Sequence, residues 1–261
     1  MQNTLFLLCL LASPLALYAS VRPYKHYRGS ETAISTATPV PQYQKVGLDL
    51  CPTCIQFTGE AINELLNIIL NLGVVGSCGK VCSALEQKTG SQALGLVCDL
   101  LCDYVGIDEF IKLIQKADLD PFYFCELIKI CPIFDTGDAT ITQLSVTPAS
   151  GPQGPKQIAV AYTSKNGTGT GEIIVGIQTV DGLPIETGFV HDAQPAGSYP
   201  LSLTLKAEPD PNCDPSQGFC EQWLPGNYSV TVDVCNGECG SAHPNSKVYD
   251  RKTTGFIITE N

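Results

Sequence analysis

Eight cysteines between positions 51 and 131 are the residues of this chain best suited to carry chemistry. Two tight pairs stand at the ends, in "CPTC" (51–54) and "CELIKIC" (125–131). The other four stand between them, at Cys78, Cys82, Cys98 and Cys102. Cysteines spaced like this can bind zinc, exchange disulfides or cross-link a small fold. The compartment and the elements that hold them decide among these chemistries.

Zinc binding and redox catalysis fit the surrounding sequence poorly. No histidine lies between residues 51 and 131, and in an oxidising compartment cysteines form disulfides in preference to binding a metal. A redox cysteine needs a helix N-terminus, and "CPTC" does precede a helical pattern, but no thioredoxin-like βαβ pattern surrounds it. We therefore expect structural cross-links, with no metal and no cofactor.

The start of the chain indicates secretion. Residues 1–20 carry no charged side chain and contain one short apolar run, which is typical of a signal peptide; a signal anchor is the alternative. Losing Cys9 with this segment leaves twelve of the thirteen cysteines, an even number suited to an oxidising compartment. Two glycosylation sequons, at Asn166 and Asn227, fit an extracellular glycoprotein.

The net charge of −11 limits the classes of partner. Residues 51–131 hold five basic and ten acidic side chains, and residues 132–261 hold six basic and fourteen acidic ones. Such an acidic surface repels phosphate backbones, so we expect no nucleic-acid partner. It also disfavours long-range attraction to anionic membranes.

Three segments follow the predicted signal peptide. Residues 21–47 are rich in Tyr, Thr, Ser, Pro and Ala and predict a flexible linker or a propeptide. Residues 48–133 have apolar residues at helical spacing and predict four or five short amphipathic helices. After Pro132 the period falls to two, and residues 138–261 predict six or seven strands. The expected fold class is α + β in two domains, a disulfide-bonded helical bundle followed by an antiparallel, immunoglobulin-like β-sandwich.

One tyrosine in the β segment has the context of a tyrosine corner. In "LPGNYSVTVDVC", Tyr228 follows a turn glycine by two residues at the start of a predicted strand. An exposed strand tyrosine is the alternative.

The spacing of the helical cysteines predicts nested disulfides. Cys78 and Cys82 are four residues apart, as are Cys98 and Cys102, so each pair lies on one helix face. Two antiparallel helices then bring Cys82 to Cys98 and Cys78 to Cys102. The same reasoning pairs the outer cysteines as Cys51–Cys131 and Cys54–Cys125.

The four C-terminal cysteines allow three pairings. Local bridges, Cys213–Cys220 and Cys235–Cys239, would each fix one loop. A nested set, Cys213–Cys239 and Cys220–Cys235, would tie a loop to the end of a strand. We expect the nested set.

The helical segment resembles the saposin B-type domain. That family opens with Cys-x2-Cys and closes with Cys-x5-Cys, and "CPTC", "CELIKIC", the "LDP" before the last helix and "DYVGIDEFI" all match it. The resemblance covers about a third of the chain and implies the two outer bridges and one middle bridge, Cys82–Cys98. A second middle bridge is a departure from the six-cysteine pattern of most saposins.

The layout of signal, linker, saposin B-type domain and cysteine-containing β tail is similar to that of the countins of social amoebae. Countins are secreted subunits of a counting-factor complex that limits group size by altering cell–cell adhesion and motility. The resemblance implies other secreted subunits and a cell-surface receptor as partners.

Saposin-like helices also suggest a second function, lipid binding or amoebapore-like membrane perturbation. Eight apolar residues are candidates for a lipid-facing interior: Leu65, Leu66, Ile69, Leu94, Leu101, Phe110, Ile111 and Leu127. An ordinary closed core is the alternative. Pore formation is disfavoured because the helical segment is acidic and lacks histidine.

An enzymatic function finds little support in the sequence. His26, His191 and His243 lack the context of a triad or a metal site. His191 adjoins Asp192, but neighbouring side chains on an extended strand point to opposite faces, so we expect a solvated loop histidine. The sequence therefore favours a secreted, non-enzymatic signalling or adhesion factor.

Overall fold

The computed structural model describes residues 23–27, 33–36, 50–72, 76–117, 120–182, 184–216 and 220–260. The predicted signal peptide, including Cys9, lies outside these residues. Five helices occupy the first half of the described chain. Their bounds are α1 (Leu50–Leu72), α2 (Cys78–Thr89), α3 (Gln92–Val105), α4 (Ile107–Ala117) and α5 (Pro121–Leu127).

Local sequence signals set the ends of these helices. The hydroxyl of Ser91 accepts the backbone N–H of Leu94 at the start of α3, and the carboxylate of Asp120 accepts that of Tyr123 at the start of α5. Gly90 ends α2 in the left-handed conformation, with φ of 67°, which glycine adopts without steric cost. These signals divide a continuous helical pattern into short elements that can pack on one another.

The helices enclose one apolar core and carry four disulfides. The bonds are Cys51–Cys131, Cys54–Cys125, Cys78–Cys102 and Cys82–Cys98, with Cα–Cα distances of 4.7 to 6.0 Å. They are the nested pairs that the helical spacing predicts. Two bonds join α2 to α3, and two join α1 to α5 and the turn that follows it.

Ten strands form two sheets in the described part of the chain. Their bounds are β1 (Pro23–Tyr27), β2 (Ile34–Thr36), β3 (Thr140–Thr147), β4 (Ser150–Gly151), β5 (Gly154–Ser164), β6 (Gly171–Gln178), β7 (Pro184–His191), β8 (Gly197–Ala207), β9 (Gly226–Asn236) and β10 (Lys247–Ile258). The six-stranded sheet has the order β1-β7-β6-β9-β10-β4, and the four-stranded sheet has the order β2-β8-β5-β3. Pairing is antiparallel except between β4 and β10. The expected α + β class is confirmed.

The two sheets share one hydrophobic core because apolar residues alternate along their central strands. Val160 of β5 and Leu203 of β8 are buried from the four-stranded side, and Val175 and Val232 are buried from the six-stranded side. Tyr228 is also buried, and its hydroxyl donates to the carbonyl of Leu224 at 2.7 Å. The alternative of an exposed strand tyrosine is therefore wrong.

Part of the predicted linker is structured, which corrects the interpretation of residues 21–47 as wholly flexible. Residues 23–27 pair with β7 at one sheet edge, and residues 34–36 pair with β8 at the edge of the other sheet. Ile34 is 3% exposed and adds its side chain to the core. Edge strands offer unpaired backbone groups, and these two segments satisfy them.

The C-terminal disulfides are local, so the nested expectation of Cys213–Cys239 and Cys220–Cys235 is wrong. The structure contains Cys213–Cys220 and Cys235–Cys239. Cys220 precedes β9 and Cys235 lies near its far end. Ten residues of extended strand separate their surroundings by roughly 30 Å, whereas a disulfide requires Cα atoms within about 7 Å.

Candidate functional site

The eight residues predicted to face lipid lie together in the helical core. Leu65, Ile69, Leu101 and Phe110 are buried. The others are partly buried and pack against the same core: Leu66, Leu94, Ile111 and Leu127. Phe110 meets Phe124 edge to face, with ring centroids 5.9 Å apart. The structure brings the candidates together as the closed core that was the alternative interpretation.

The outer face of α3 carries an apolar stripe that sequence reasoning missed. Leu96, Leu100 and Tyr104 follow one another at intervals of one turn and are 66%, 58% and 65% exposed. Disulfides from Cys98 and Cys102 to α2 turn the opposite face of α3 inward, which leaves this face to solvent. The signal was available, because residues 96, 100 and 104 stand on the side of the helix away from both cysteines.

Carboxylates border this α3 stripe. Asp99 and Asp103 lie on α3 three residues after Leu96 and Leu100, and the helix contains no basic residue. Asp108 and Glu109 follow in the first turn of α4. An apolar surface with an acidic border suits a protein partner that presents apolar side chains among lysines or arginines.

A polar seam joins α5 to the β9–β10 loop. The Ser241 hydroxyl donates to the Asp120 carboxylate at 2.6 Å, and the Asn245 amide donates to the Glu126 carboxylate at 3.0 Å. Between these bonds, the Tyr123 ring stacks on the imidazole of His243, with ring centroids 4.4 Å apart. The seam therefore holds the last helix against the β unit by contacts along its whole length.

Burial at this seam perturbs one carboxylate. Desolvation raises the pKa of Glu126 above its ordinary value, the bond from Asn245 opposes this shift, and the negative charges of Asp120 and Asp135 add to it. Glu126 is consequently a group whose ionisation the folded state opposes.

The structure describes the side chains of two of the three histidines. His191 is 1% exposed, so the expectation of a solvated loop histidine is wrong. It ends β7, and its two ring nitrogens each lie 3.0 Å from a backbone carbonyl, those of Asp192 and Cys235. Desolvation lowers the pKa of His191. His243 is the residue stacked on Tyr123 in the seam, and nothing is described of the His26 side chain.

Both predicted glycosylation sites are sterically open. Asn166 is exposed in the turn after β5, and Asn227 is exposed near the start of β9. The Asn166 backbone N–H donates to the Asp138 carboxylate. This bond, with those from the Lys165 backbone and the Ser164 hydroxyl, lowers the pKa of Asp138. The side chains remain available at the surface.

One end of the β unit contains a cavity of about 370 Å³. Its lining includes Lys206, Glu208, Asp210, Glu221 and Trp223. Desolvation raises the pKa of Glu221. No group of three or more His, Cys, Asp or Glu within the described ranges is arranged to hold a metal ion. No helix of those residues is long and apolar enough to cross a membrane.

Each half of the chain matches a domain of a known protein family. The Countin N-terminal domain matches residues 49–129, and the Countin C-terminal domain matches residues 139–261. The chain belongs to the countin family. Countin-1 of Dictyostelium discoideum is 39% identical over 213 residues, covering 81% of this chain and 78% of that protein. Countin-3 of the same organism is 35% identical over 210 residues, covering 80% and 89%.

Solved structures add no argument to the family assignment. The CARDB domain of a Pyrococcus furiosus protein aligns with 50% of this chain and all of that chain, at 12% identity and a TM-score of 0.30. The family assignment rests on the two domain matches and the countin relatives.

Proposed function

We propose that this countin-family chain is a secreted, non-enzymatic factor that acts as a subunit of an extracellular complex. In this role it regulates group size through cell–cell adhesion and motility. Its partners are other secreted subunits and a cell-surface receptor. The proposal draws on the family, on the predicted signal peptide and on the two exposed sequon asparagines.

The α3 stripe is the observation that carries this proposal. Leu96, Leu100 and Tyr104 expose apolar area at the surface, whereas the residues considered for lipid contact fill a closed core. A bordered apolar stripe is typical of a protein–protein contact. The acidic border disfavours contact with anionic lipid and favours a basic protein partner.

We also propose finer fold types for the two units. The four nested disulfides support a saposin-type helical unit, in which α1 and α5 close the domain. The β-strand order and the Tyr228 bond to Leu224, placed as in a tyrosine corner, support an immunoglobulin-like sandwich. Both units would then be rigid modules that present fixed surfaces to partners.

The native size of the protein in conditioned medium tests the proposed function. Gel filtration with immunoblotting compares the wild type with a variant carrying Leu96→Ser, Leu100→Ser and Tyr104→Ser. We expect the wild type to elute far above the size of a glycosylated chain, together with other proteins, and the variant to leave that complex. Leu224→Ser removes an exposed leucine of the β unit and should change nothing.

Two results would contradict the proposal. Wild-type protein that elutes free of other proteins, and that binds neutral liposomes, would favour the lipid-binding function instead. Deleting the gene should alter group size or adhesion in the source organism, and unchanged aggregates in a strain without related genes would remove the group-size role.

A further inference from the structure

The stretch before β9 has the side-chain spacing of a calcium-binding loop. It reads "DPNCDPSQGFCE" (210–221), and oxygen-bearing side chains stand at its first, third, fifth and twelfth positions: Asp210, Asn212, Asp214 and Glu221. Calcium loops of twelve residues take side-chain ligands from the same positions. These donors are hard oxygens, unlike the cysteine sulfurs considered as zinc ligands, and hard oxygens suit calcium.

The sixth position of the loop departs from that pattern. Pro215 stands where calcium loops have a glycine that makes a sharp turn. A disulfide constrains the loop instead, because Cys213–Cys220 joins its fourth position to its eleventh with Cα atoms 5.8 Å apart. This bond folds the loop back and brings its last residue towards its first ones. Residues 217–219 lie outside the described part of the chain, and no ligand is assigned to them.

The cavity at the end of the β unit gathers three of these four side chains. Asp210, Asn212 and Glu221 all belong to its wall, and Glu208 adds a further carboxylate. Lys206 is the basic residue of the same wall. The wall therefore has three carboxylates and one ammonium group, and this excess of negative charge attracts cations.

Glu221 supplies a carboxylate oxygen that lacks a partner. Its Oε1 accepts the backbone N–H of Trp223 at 2.9 Å, whereas its Oε2 is shielded from water and has no hydrogen-bond partner among the described residues. An ionised carboxylate only accepts hydrogen bonds, so a buried oxygen without a donor or a cation costs free energy. Desolvation raises the pKa of Glu221, the Trp223 bond opposes this shift, and the negative charge of Asp181 adds to it. A cation bound at Oε2 would remove this cost.

The two aspartates of the loop each keep an oxygen for a ligand. Asp210 Oδ1 accepts the Asn212 N–H and Asp214 Oδ1 accepts the Ser216 N–H, both at 2.9 Å, which uses one oxygen of each carboxylate. The bonds from Ser216 lower the pKa of Asp214, which favours its charged form. Within the described residues the carboxylates do not converge on one point. Binding a cation must therefore close the loop.

We propose that residues 210–221 form a calcium site, in which side-chain oxygens of Asp210, Asn212, Asp214 and Glu221 bind one Ca²⁺ ion. Calcium takes about six to eight oxygens, so backbone carbonyls and water complete the shell. Mg²⁺ fits less well, because it requires a compact octahedron and loses its water reluctantly. With three carboxylates and no glycine turn, the Kd should be that of extracellular calcium modules, about 10⁻⁴ to 10⁻³ M.

Calcium titration of the purified full-length secreted chain tests the inference independently of the proposed function, because no other subunit is present. Trp223, the one tryptophan of the chain, lines the cavity, so its fluorescence should change as Ca²⁺ binds, and calorimetry should give one site. Glu221→Gln and Asp210→Asn keep the side-chain shape but remove a charge, and each should weaken binding by more than about 10-fold. Lys206→Gln removes a positive charge from the cavity wall and should tighten binding by about 3-fold. Glu109→Gln, on the surface of α4, should leave the Kd unchanged.

Three results would overturn the inference. The first is a wild-type chain that binds no Ca²⁺ at concentrations up to about 10 mM. The second is Ca²⁺ binding that Glu221→Gln and Asp210→Asn both leave unchanged. The third is Mg²⁺ binding as tight as that of Ca²⁺, which would indicate a general acidic surface. Circular dichroism shows whether each variant keeps the wild-type fold, and Asp214→Asn replaces one that does not.

Discussion

Asp120 should stabilise the helical unit through two separate bonds, and truncating it tests whether the seam works in solution. The residue is 3% exposed, and its carboxylate caps α5 by accepting the Tyr123 N–H and accepts the Ser241 hydroxyl across the seam. Loss of the cap costs about 1 kcal/mol. Loss of a buried bond to a charged group costs about 2 kcal/mol. Asp120→Ala should therefore lower the free energy of unfolding of the helical unit by about 3 kcal/mol.

Two variants separate these contributions. Ser91→Ala removes a helix cap that has no cross-seam bond, so it should cost about 1 kcal/mol. Asp120→Asn keeps a residue that caps well but removes the charge, and should fall between the other two. In a double-mutant cycle with Ser241→Ala, the coupling energy with Asp120 should be about 1.5 kcal/mol.

Guanidinium unfolding with intact disulfides provides the assay. Far-ultraviolet circular dichroism reports mainly on the helices, and the chain's one tryptophan, Trp223, is buried in the β unit and reports on that unit. In Asp120→Ala the helical transition should move to lower denaturant while the fluorescence transition moves little. If Asp120→Ala costs no more than Ser91→Ala and the coupling with Ser241 is zero, the seam contributes nothing and the reasoning fails.

Three further predictions concern buried polar groups. Tyr228→Phe removes the bond to the Leu224 carbonyl and should destabilise the β unit by about 1–2 kcal/mol, measured by tryptophan fluorescence. The raised pKa of Glu126 means that its contribution to stability is complete below its unfolded-state pKa and is lost as pH rises through the folded one. Glu126→Gln, which can still accept from Asn245, should therefore gain stability relative to wild type at about pH 7 and lose this gain near pH 4. The lowered pKa of His191 has the opposite effect: wild type should lose up to about 1.4 kcal/mol per pH unit below about pH 6.5, and His191→Gln should lack that slope.

Surface variants provide the matched controls. Tyr104→Phe and Glu109→Gln change the same residue types at exposed positions outside the seam. Tyr104→Phe should leave unfolding unchanged, because the Tyr104 side chain is exposed. If Tyr228→Phe behaves like Tyr104→Phe, the corner bond does not contribute. Parallel pH profiles for Glu126→Gln and wild type, or for His191→Gln and wild type, would contradict the linkage argument.

The sequence correctly predicted the features that depend on residues close together in the chain. Cys78, Cys82, Cys98 and Cys102 recur at one helical turn, and helix geometry alone brings them into nested bonds. The change of period after Pro132 likewise predicted the switch from helices to strands. In both cases residues close in sequence supply the information, and the fold class follows from it.

The wrong predictions concern how far apart two segments lie in the folded structure. The pairing of Cys220 with Cys235 fails because the length of β9 separates the two sheet ends. His191 is buried, and its ring lies 3.0 Å from the carbonyl of Cys235, a residue forty-four positions away in the sequence. The seam depends on which elements become neighbours in the fold, and a single sequence does not give that arrangement.

Because β1 and β2 precede the helical unit yet pair with β7 and β8, the helical unit is an insertion within the β unit. During synthesis the first-made strands must therefore wait for partners that leave the ribosome more than a hundred residues later. The helical unit has all eight of its cysteines by residue 131 and can fold and oxidise in that interval. The β unit can complete its sheets only near the end of translation. Folding in the secretory pathway should thus proceed from the middle of the chain outward, with the N-terminal strands among the last pieces to dock.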